Sequence, residues 1–248
     1  MSGSDRVLGV IPARYDSTRF PGKPLAEILG RPMIEWVIEA VRESARIDDI
    51  LVATDHNKIF ETVEETEAEA VMTRSDHSSG SDRVAAAVDD REAELIVNIQ
   101  GDEPLIDGST LDRGVRSMQE NPEAAMGSFM APLNDEEAED PDVVKVVVDR
   151  DQFALYFSRS PVPYGRDTSP ERYQHVGIYL FRREFLLEYS QMNPTPLEQA
   201  EGLEQLRALE NGRKITMVEI DEPTVGVDRP EDVGTVEEIL RRRGHEES

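Results

Sequence analysis

The chain has 248 residues and no cysteine, which excludes disulfides, thiolate metal sites and thiol nucleophiles. Its 52 acidic residues against 27 basic ones give a formal charge of −25, a balance that repels nucleic acid and anionic membranes. The acidic residues are dispersed (ETVEETEAE, EEAEDPD), as in a solvated surface adapted to salt, and neither an apolar leader nor a stretch of 18 apolar residues occurs, so a cytoplasmic protein that crosses no membrane is expected.

The apolar run Val7–Ile11 predicts a buried strand. It enters a loop that carries Arg14, Arg19 and Lys23 among Pro12, Pro21, Gly22 and Pro24, in a chain with only four lysines. A helix is expected from Pro32 to Ser44, with Met33, Ile34, Val37, Ile38 and Val41 on one face and the proline in its first turn. Strand Ile50–Thr54, helix Asn57–Thr66, strand Ala70–Thr73, helix Asp82–Val88, strand Leu95–Ile99 and helix Ser109–Gln119 follow. This alternation predicts an α/β fold with a parallel sheet flanked by helices.

The second half changes texture. Ala124–Ala131, Val143–Val148 and Phe153–Ser158 read as strands, with a turn at Asp149–Asp151. Arg166–Arg172 reads as a loop and His175–Phe181 as a strand. Helices Arg183–Ser190 and Leu197–Leu209, strands Lys214–Ile220 and Thr224–Val227, and helix Pro230–Arg242 complete the order. The expectation is one domain over 1–248 with a mixed, mainly parallel sheet and a β-rich lobe inserted at roughly 127–180.

In open parallel sheets ligands bind beyond the carboxyl ends of the strands. Three clusters fall there: the cationic loop after the first strand, the loop after the third, and Gln100–Glu103. The first suits a polyphosphate, since Gly22 and the prolines let backbone N–H groups face an anion while Arg14 and Lys23 offer a planar fork and a compact charge. The bland alternative is three solvated cations in an exposed loop. Neither GxxxxGK[ST] nor GxGxxG is present. Asp102, just past a strand, would suit Mg²⁺ as a hard oxygen ligand, or would serve a turn; Asp228 would act likewise, or cap the last helix. His56, His77, His175 and His245 have no metal-binding spacing, and no GxSxG elbow occurs.

Taken together, VIPARYDSTRFPGKPLAEILGRPMI, MTRSDHSSGSDR, IVNIQGDEPLI, ALYFSRSPVPY, HVGIYLF, PLEQAEGLEQLR and GVDRPEDV, in this order, resemble the 3-deoxy-D-manno-octulosonate (Kdo) cytidylyltransferases from about Val7 to Asp232. The resemblance implies a Mg²⁺-dependent reaction of CTP with Kdo, an acidic sugar, to give CMP-Kdo and pyrophosphate for lipopolysaccharide inner-core synthesis. It implies a homodimer built through the smaller lobe. It assigns Arg14, Lys23 and Asp102 to catalysis, and Ala13, Arg14, Ser17, Lys23, Arg74, Ser79 and Gln100 to the nucleotide. Gln100, Arg159, Arg166, His175, Tyr179 and Glu204 fall to the sugar, and Asp102 and Asp228 to one or two Mg²⁺ ions. By residue chemistry alone, His175 and Tyr179 would equally be satisfied strand residues and Glu204 part of a solvated helix face.

The segment between Pro163 and Gln174 is short and departs from the family in composition, so the sugar is less constrained than the nucleotide. Rival substrates are 8-amino-8-deoxy-Kdo or another ulosonic or nonulosonic acid. A GT-A-type glycosyltransferase would need a DxD after a central strand, whereas Asp149–Asp151 reads as a hairpin turn. A non-catalytic nucleotide-sugar binder would be expected to lack Lys23, Asp102 or Asp228.

Overall fold

The VLGVIPA run forms β1 (Val7–Ala13), with every side chain buried except the half-buried Pro12. The computed structural model describes residues 5–16, 19–77 and 79–245, and the chain divides into two units, Met1–Asp112 with Thr224–Ser248, and Arg113–Pro223. The second unit is wider than the lobe expected at 127–180.

After β1 the first unit makes a short 3-10 turn (Lys23–Leu25) and a small hairpin, β2 (Glu27–Ile28) with β3 (Arg31–Pro32), none of them expected from the sequence. Helix α1 (Met33–Arg42) buries the predicted stripe. β4 (Asp49–Thr54), α2 (Asn57–Glu64), β5 (Glu69–Met72), α3 (Gly80–Ala87) and β6 (Leu95–Asn98) alternate as predicted, before α4 (Gly108–Glu120). The four long strands are parallel in the order β6–β1–β4–β5, with Val10 beside Leu51 on one side and Asn98 on the other.

In the second unit β7 (Ala124–Leu133) is followed by a short helix, α5 (Asp135–Ala138), then β8 (Lys145–Val148), β9 (Ala154–Ser158) and β10 (Arg172–Arg182). Asp149 closes the β8–β9 turn by accepting from the backbone N–H of Asp151 and Phe153, both at 2.9 Å. β10 runs antiparallel to β7 and β8, and β11 (Lys214–Glu219) runs parallel to β7. Between β10 and β11 lie α6 (Arg183–Tyr189), α7 (Pro196–Glu201) and α8 (Leu206–Glu210). The single helix expected at Leu197–Leu209 is thus two, because Gly202 takes a left-handed conformation (φ 65°) and caps α7.

The chain then returns to the first unit. Thr224–Val227, expected as a strand, is irregular; the Val227 N–H donates to the Asp102 carbonyl in the loop after β6 at 2.8 Å. The final helix α9 (Asp232–Arg242) presses Val236 and Leu240 into a cluster with Ile28, Leu29, Met33, Trp36, Leu105 and Val227. Fully burying an apolar side chain of this size contributes about 1.5–3 kcal/mol. Among the described residues no helix is long and apolar enough to cross a membrane.

Candidate active site

The strand order reverses at β1. The chain adds β4 and β5 on one side, then places β6 on the other, and a crevice opens past the carboxyl ends of the strands at such a point. The loops after β1, β5 and β6, with Asp228, line a polar cleft of about 290 Å³ there. A Cβ on Gly101 would sit 2.9 Å from the Pro12 carbonyl oxygen, so only glycine lets the loop after β6 lie this close to the end of β1.

Lys23 is at the centre. Gly22 adopts φ 71° and its N–H donates to the Tyr15 carbonyl at 2.9 Å, which folds the cationic loop back on itself and starts the 3-10 turn with Lys23. The Lys23 ammonium lies 2.5 Å from Asp102 Oδ2 and 3.8 Å from Asp228 Oδ1, and donates to the Val227 carbonyl at 3.0 Å. Arg19 pairs with Asp228 from the solvent side. Asp228 is not the cap of α9: Asp232 accepts from the N–H groups of Asp228 and Arg229 at 2.9 and 2.7 Å, which leaves the Asp228 carboxylate in the cleft. Leu105 and Val227, close in sequence to the two carboxylates, root both loops in the apolar cluster beneath.

Glu103 packs below this group. Burial pushes its carboxyl up to about 7; a hydrogen bond with Thr224 and the Lys23 charge oppose that shift, and neighbouring Asp102 adds to it.

Two carboxylates that already share one cation suit a hard divalent ion. Among the described residues no cluster of three Asp, Glu or His side chains fit for a metal occurs. The chain would therefore supply two oxygens, the remainder coming from phosphate and water, which is the coordination Mg²⁺ favours.

Of the residues expected at the nucleotide, Ala13, Arg14, Lys23, Ser79 and Gln100 line this cleft, as do Asp102 and Asp228, expected at the metal. Ser79 also caps α3, its hydroxyl accepting from the Asp82 N–H at 3.1 Å. Arg74 does not line it: the side chain is 79% exposed and pairs with Asp76, while Arg83 lines the cleft. Ser17 lies outside the described residues.

Arg83 and Asp55 were missed by motif reasoning. The Arg83 guanidinium, 3% exposed, donates to Asp55 Oδ2 at 2.8 Å, Thr73 Oγ1 at 2.6 Å and the Arg74 carbonyl at 3.2 Å, while Asp55 Oδ1 accepts from the Tyr15 N–H at 3.2 Å. One buried ion pair thus ties the loops after β1, β4 and β5. His77, set aside on spacing, has Nε2 buried in the cleft wall and without a hydrogen-bond partner.

The second unit has its own cavity, of about 430 Å³, lined by Asp142, Gln174, His175, Gly177, Tyr179, Glu204 and Gln205 among others. It gathers three of the expected sugar residues, His175, Tyr179 and Glu204. Burial pushes the His175 imidazolium down to about 3 and the Tyr179 phenol well above its ordinary value, so both are neutral near pH 7. Arg159 flanks the cavity without lining it, donating through Nε to the Glu201 carbonyl and through Nη1 to the Pro141 carbonyl, each at 2.8 Å. Arg166 is exposed and lies beside Asp167 and Asp135 on a different, open groove.

Residues 8–215 match the family model for cytidylyltransferases. The 3-deoxy-manno-octulosonate cytidylyltransferase of Syntrophotalea carbinolica is 48% identical over 95% of this chain and 98% of its own length. That of Bdellovibrio bacteriovorus is 43% identical over 96% and 99%. The solved structure of CMP:2-keto-3-deoxy-manno-octonic acid synthetase complexed with CTP has a TM-score of 0.93 at 40% identity, covering 96% of this chain and 99% of that one. A 4-diphosphocytidyl-2C-methyl-D-erythritol synthase from Anaerococcus prevotii, 14% identical with a TM-score of 0.66, shares the fold alone. With its parallel-sheet cleft and these matches over nearly its whole length, the chain belongs to the 3-deoxy-manno-octulosonate cytidylyltransferase family.

Proposed function

We propose that this chain transfers the cytidylyl group of CTP to the anomeric 2-hydroxyl of Kdo, releasing pyrophosphate and forming CMP-Kdo, an activated sugar for lipopolysaccharide synthesis in the cytoplasm. The observation that carries this reading is the convergence of Lys23, Asp102 and Asp228 at the strand-order reversal. In phosphoryl-type transfer catalysis rests on positioning and charge stabilisation. Arg14 and Lys23 would hold the triphosphate and offset the charge that grows on the departing pyrophosphate. Asp102 and Asp228 would hold Mg²⁺, which when bound draws charge from the phosphate oxygens and lowers the pKa of a nearby hydroxyl. Ala13, Ser79 and Gln100 would border the cytidine, and the cavity of the second unit would receive the sugar through His175, Tyr179 and Glu204. The homodimer belongs to the same reading and rests on the family resemblance alone.

The test is pyrophosphate release from CTP and Mg²⁺ with Kdo, 8-amino-8-deoxy-Kdo or sialic acid offered separately. Turnover is expected with Kdo. Lys23→Ala should lower kcat by about 10²–10³, the usual effect of removing one stabilising donor, and Asp102→Asn should weaken Mg²⁺ binding measured by calorimetry in the presence of CTP. Release with none of the sugars would overturn the proposal; release with sialic acid alone would move it to another acidic sugar.

A further inference from the structure

Ser128, on β7, is fully buried, and its hydroxyl touches three groups: His175 Nε2 at 2.9 Å, the Val176 carbonyl at 3.1 Å and the Ile178 carbonyl at 2.8 Å. The two carbonyls, two residues apart on β10, both face it at the point where the β7–β10 register shifts between Val176 and Tyr179. On its other side His175 meets Gln205, with Nδ1 3.5 Å from the Gln205 Nε2, and the Tyr179 hydroxyl donates to Gln205 Oε1 at 3.2 Å. Gln205 and Tyr179 are 2% and 6% exposed.

A carbonyl only accepts, and a serine hydroxyl has one proton. With two carbonyls within 3.1 Å, that proton is committed to them. The Ser128 oxygen is then an acceptor towards His175, so Nε2 must carry the ring proton and Nδ1 the lone pair. Without Ser128 the His175–Gln205–Tyr179 chain would be satisfied equally well in reverse, with the amide turned over and the proton on Nδ1. The paired carbonyls break that symmetry.

We propose that Ser128 is a positioning residue that holds His175 as the Nε2–H tautomer and thereby gives the Ser128–His175–Gln205–Tyr179 chain one polarity. Tyr179 donates inward to Gln205, which leaves its oxygen lone pairs on the cavity side. His175 Nδ1 is then the acceptor towards the Gln205 amide. With the carboxylates of Asp142 and Glu204 this makes a cavity wall of acceptors, suited to a polyhydroxylated ligand that brings O–H donors. The assignment of that ligand as the sugar rests on the proposed cytidylyl transfer; the tautomer does not.

The experiment is two-bond ¹H–¹⁵N correlation NMR of the full-length protein at pH 7, His175 being identified by comparison with His175→Gln, together with kinetics of Ser128→Ala and Ser128→Thr. The wild type should show His175 protonated at Nε2. Ser128→Ala should populate the Nδ1–H form and raise KM for the sugar about tenfold, the worth of one hydrogen bond, with KM for CTP unchanged. Ser128→Thr, which keeps the hydroxyl, should restore the Nε2–H form. An Nδ1–H tautomer in the wild type, or an unchanged tautomer in Ser128→Ala, would overturn the proposal without requiring any variant to be active. A wild type that is Nε2–H but inert towards every sugar would instead sink the cytidylyltransferase reading.

Discussion

Arg83 joins the loops that frame the cleft at the end of β1. The side chain of its partner Asp55 is only 11% exposed, and both are committed to backbone and side-chain groups of three loops. Replacing one partner of such a pair leaves the other charge buried, a loss of about 3–5 kcal/mol. Arg83→Leu should therefore lower the urea midpoint by that equivalent, whereas Arg74→Leu, at an exposed pair with Asp76, should leave it unchanged. His175 gives a second test at this scale. Its folded pKa of about 3 lies below the unfolded value of about 6.5, so the unfolded chain takes up the proton first. Its contribution is full above pH 6.5 and falls as pH drops towards 3. By pH 5 the wild type should lose about 2 kcal/mol from this group. The stability gap between wild type and His175→Gln, measured by urea unfolding, should narrow by that amount between pH 7 and pH 5.

Helix α9 and the break between α7 and α8 decide how elements carry the sites. Val236 and Leu240 on α9 cover the cluster that contains Val227, the residue before Asp228. Leu240→Ala should cost about 2–5 kcal/mol through the cavity it leaves, and in a CTP titration it should weaken binding if the loop at Asp228 loosens with it. At Gly202 an added Cβ would meet nothing within 4 Å, so crowding is not the constraint; the left-handed φ of 65° is. Gly202→Ala should destabilise by about 1 kcal/mol, and should disturb sugar binding more than CTP binding, because Gly202 and Leu203 border the cavity with Glu204 and Gln205.

At the scale of the whole molecule charge is the leading feature. A formal charge of −25 opposes the compact state through self-repulsion, and salt relieves it. Between 0.01 and 1 M salt the screening length falls from about 30 to about 3 Å. Melting followed by circular dichroism should therefore shift upward by several degrees across that range. An unchanged melting temperature would show that the scattered acidic residues impose no net strain on the fold.

The alternation of strand and helix, the buried stripe of α1 and the loop clusters at strand ends follow from periodicity and turn chemistry, which act over a few residues and are written locally. The family resemblance picked out Ala13, Arg14, Lys23, Gln100 and Asp102, which line one cleft, for the same reason, because PARYDSTRFPGK and NIQGDEP are contiguous. What depended on distant partners was not legible. Asp228 pairs with Lys23 rather than capping α9, and Arg83 rather than Arg74 turns inward. Gly202 splits a helical pattern that looked continuous, and Thr224–Val227 is a strand by composition that meets no strand partner among the described residues. Ser128 has no motif at all; its role comes from a register shift in the opposing strand. Local sequence determines which segments become helix or strand and which loops carry charge. Which carboxylate meets which cation, and which way a hydrogen-bond chain runs, is decided when segments far apart in the chain are brought within a few ångströms.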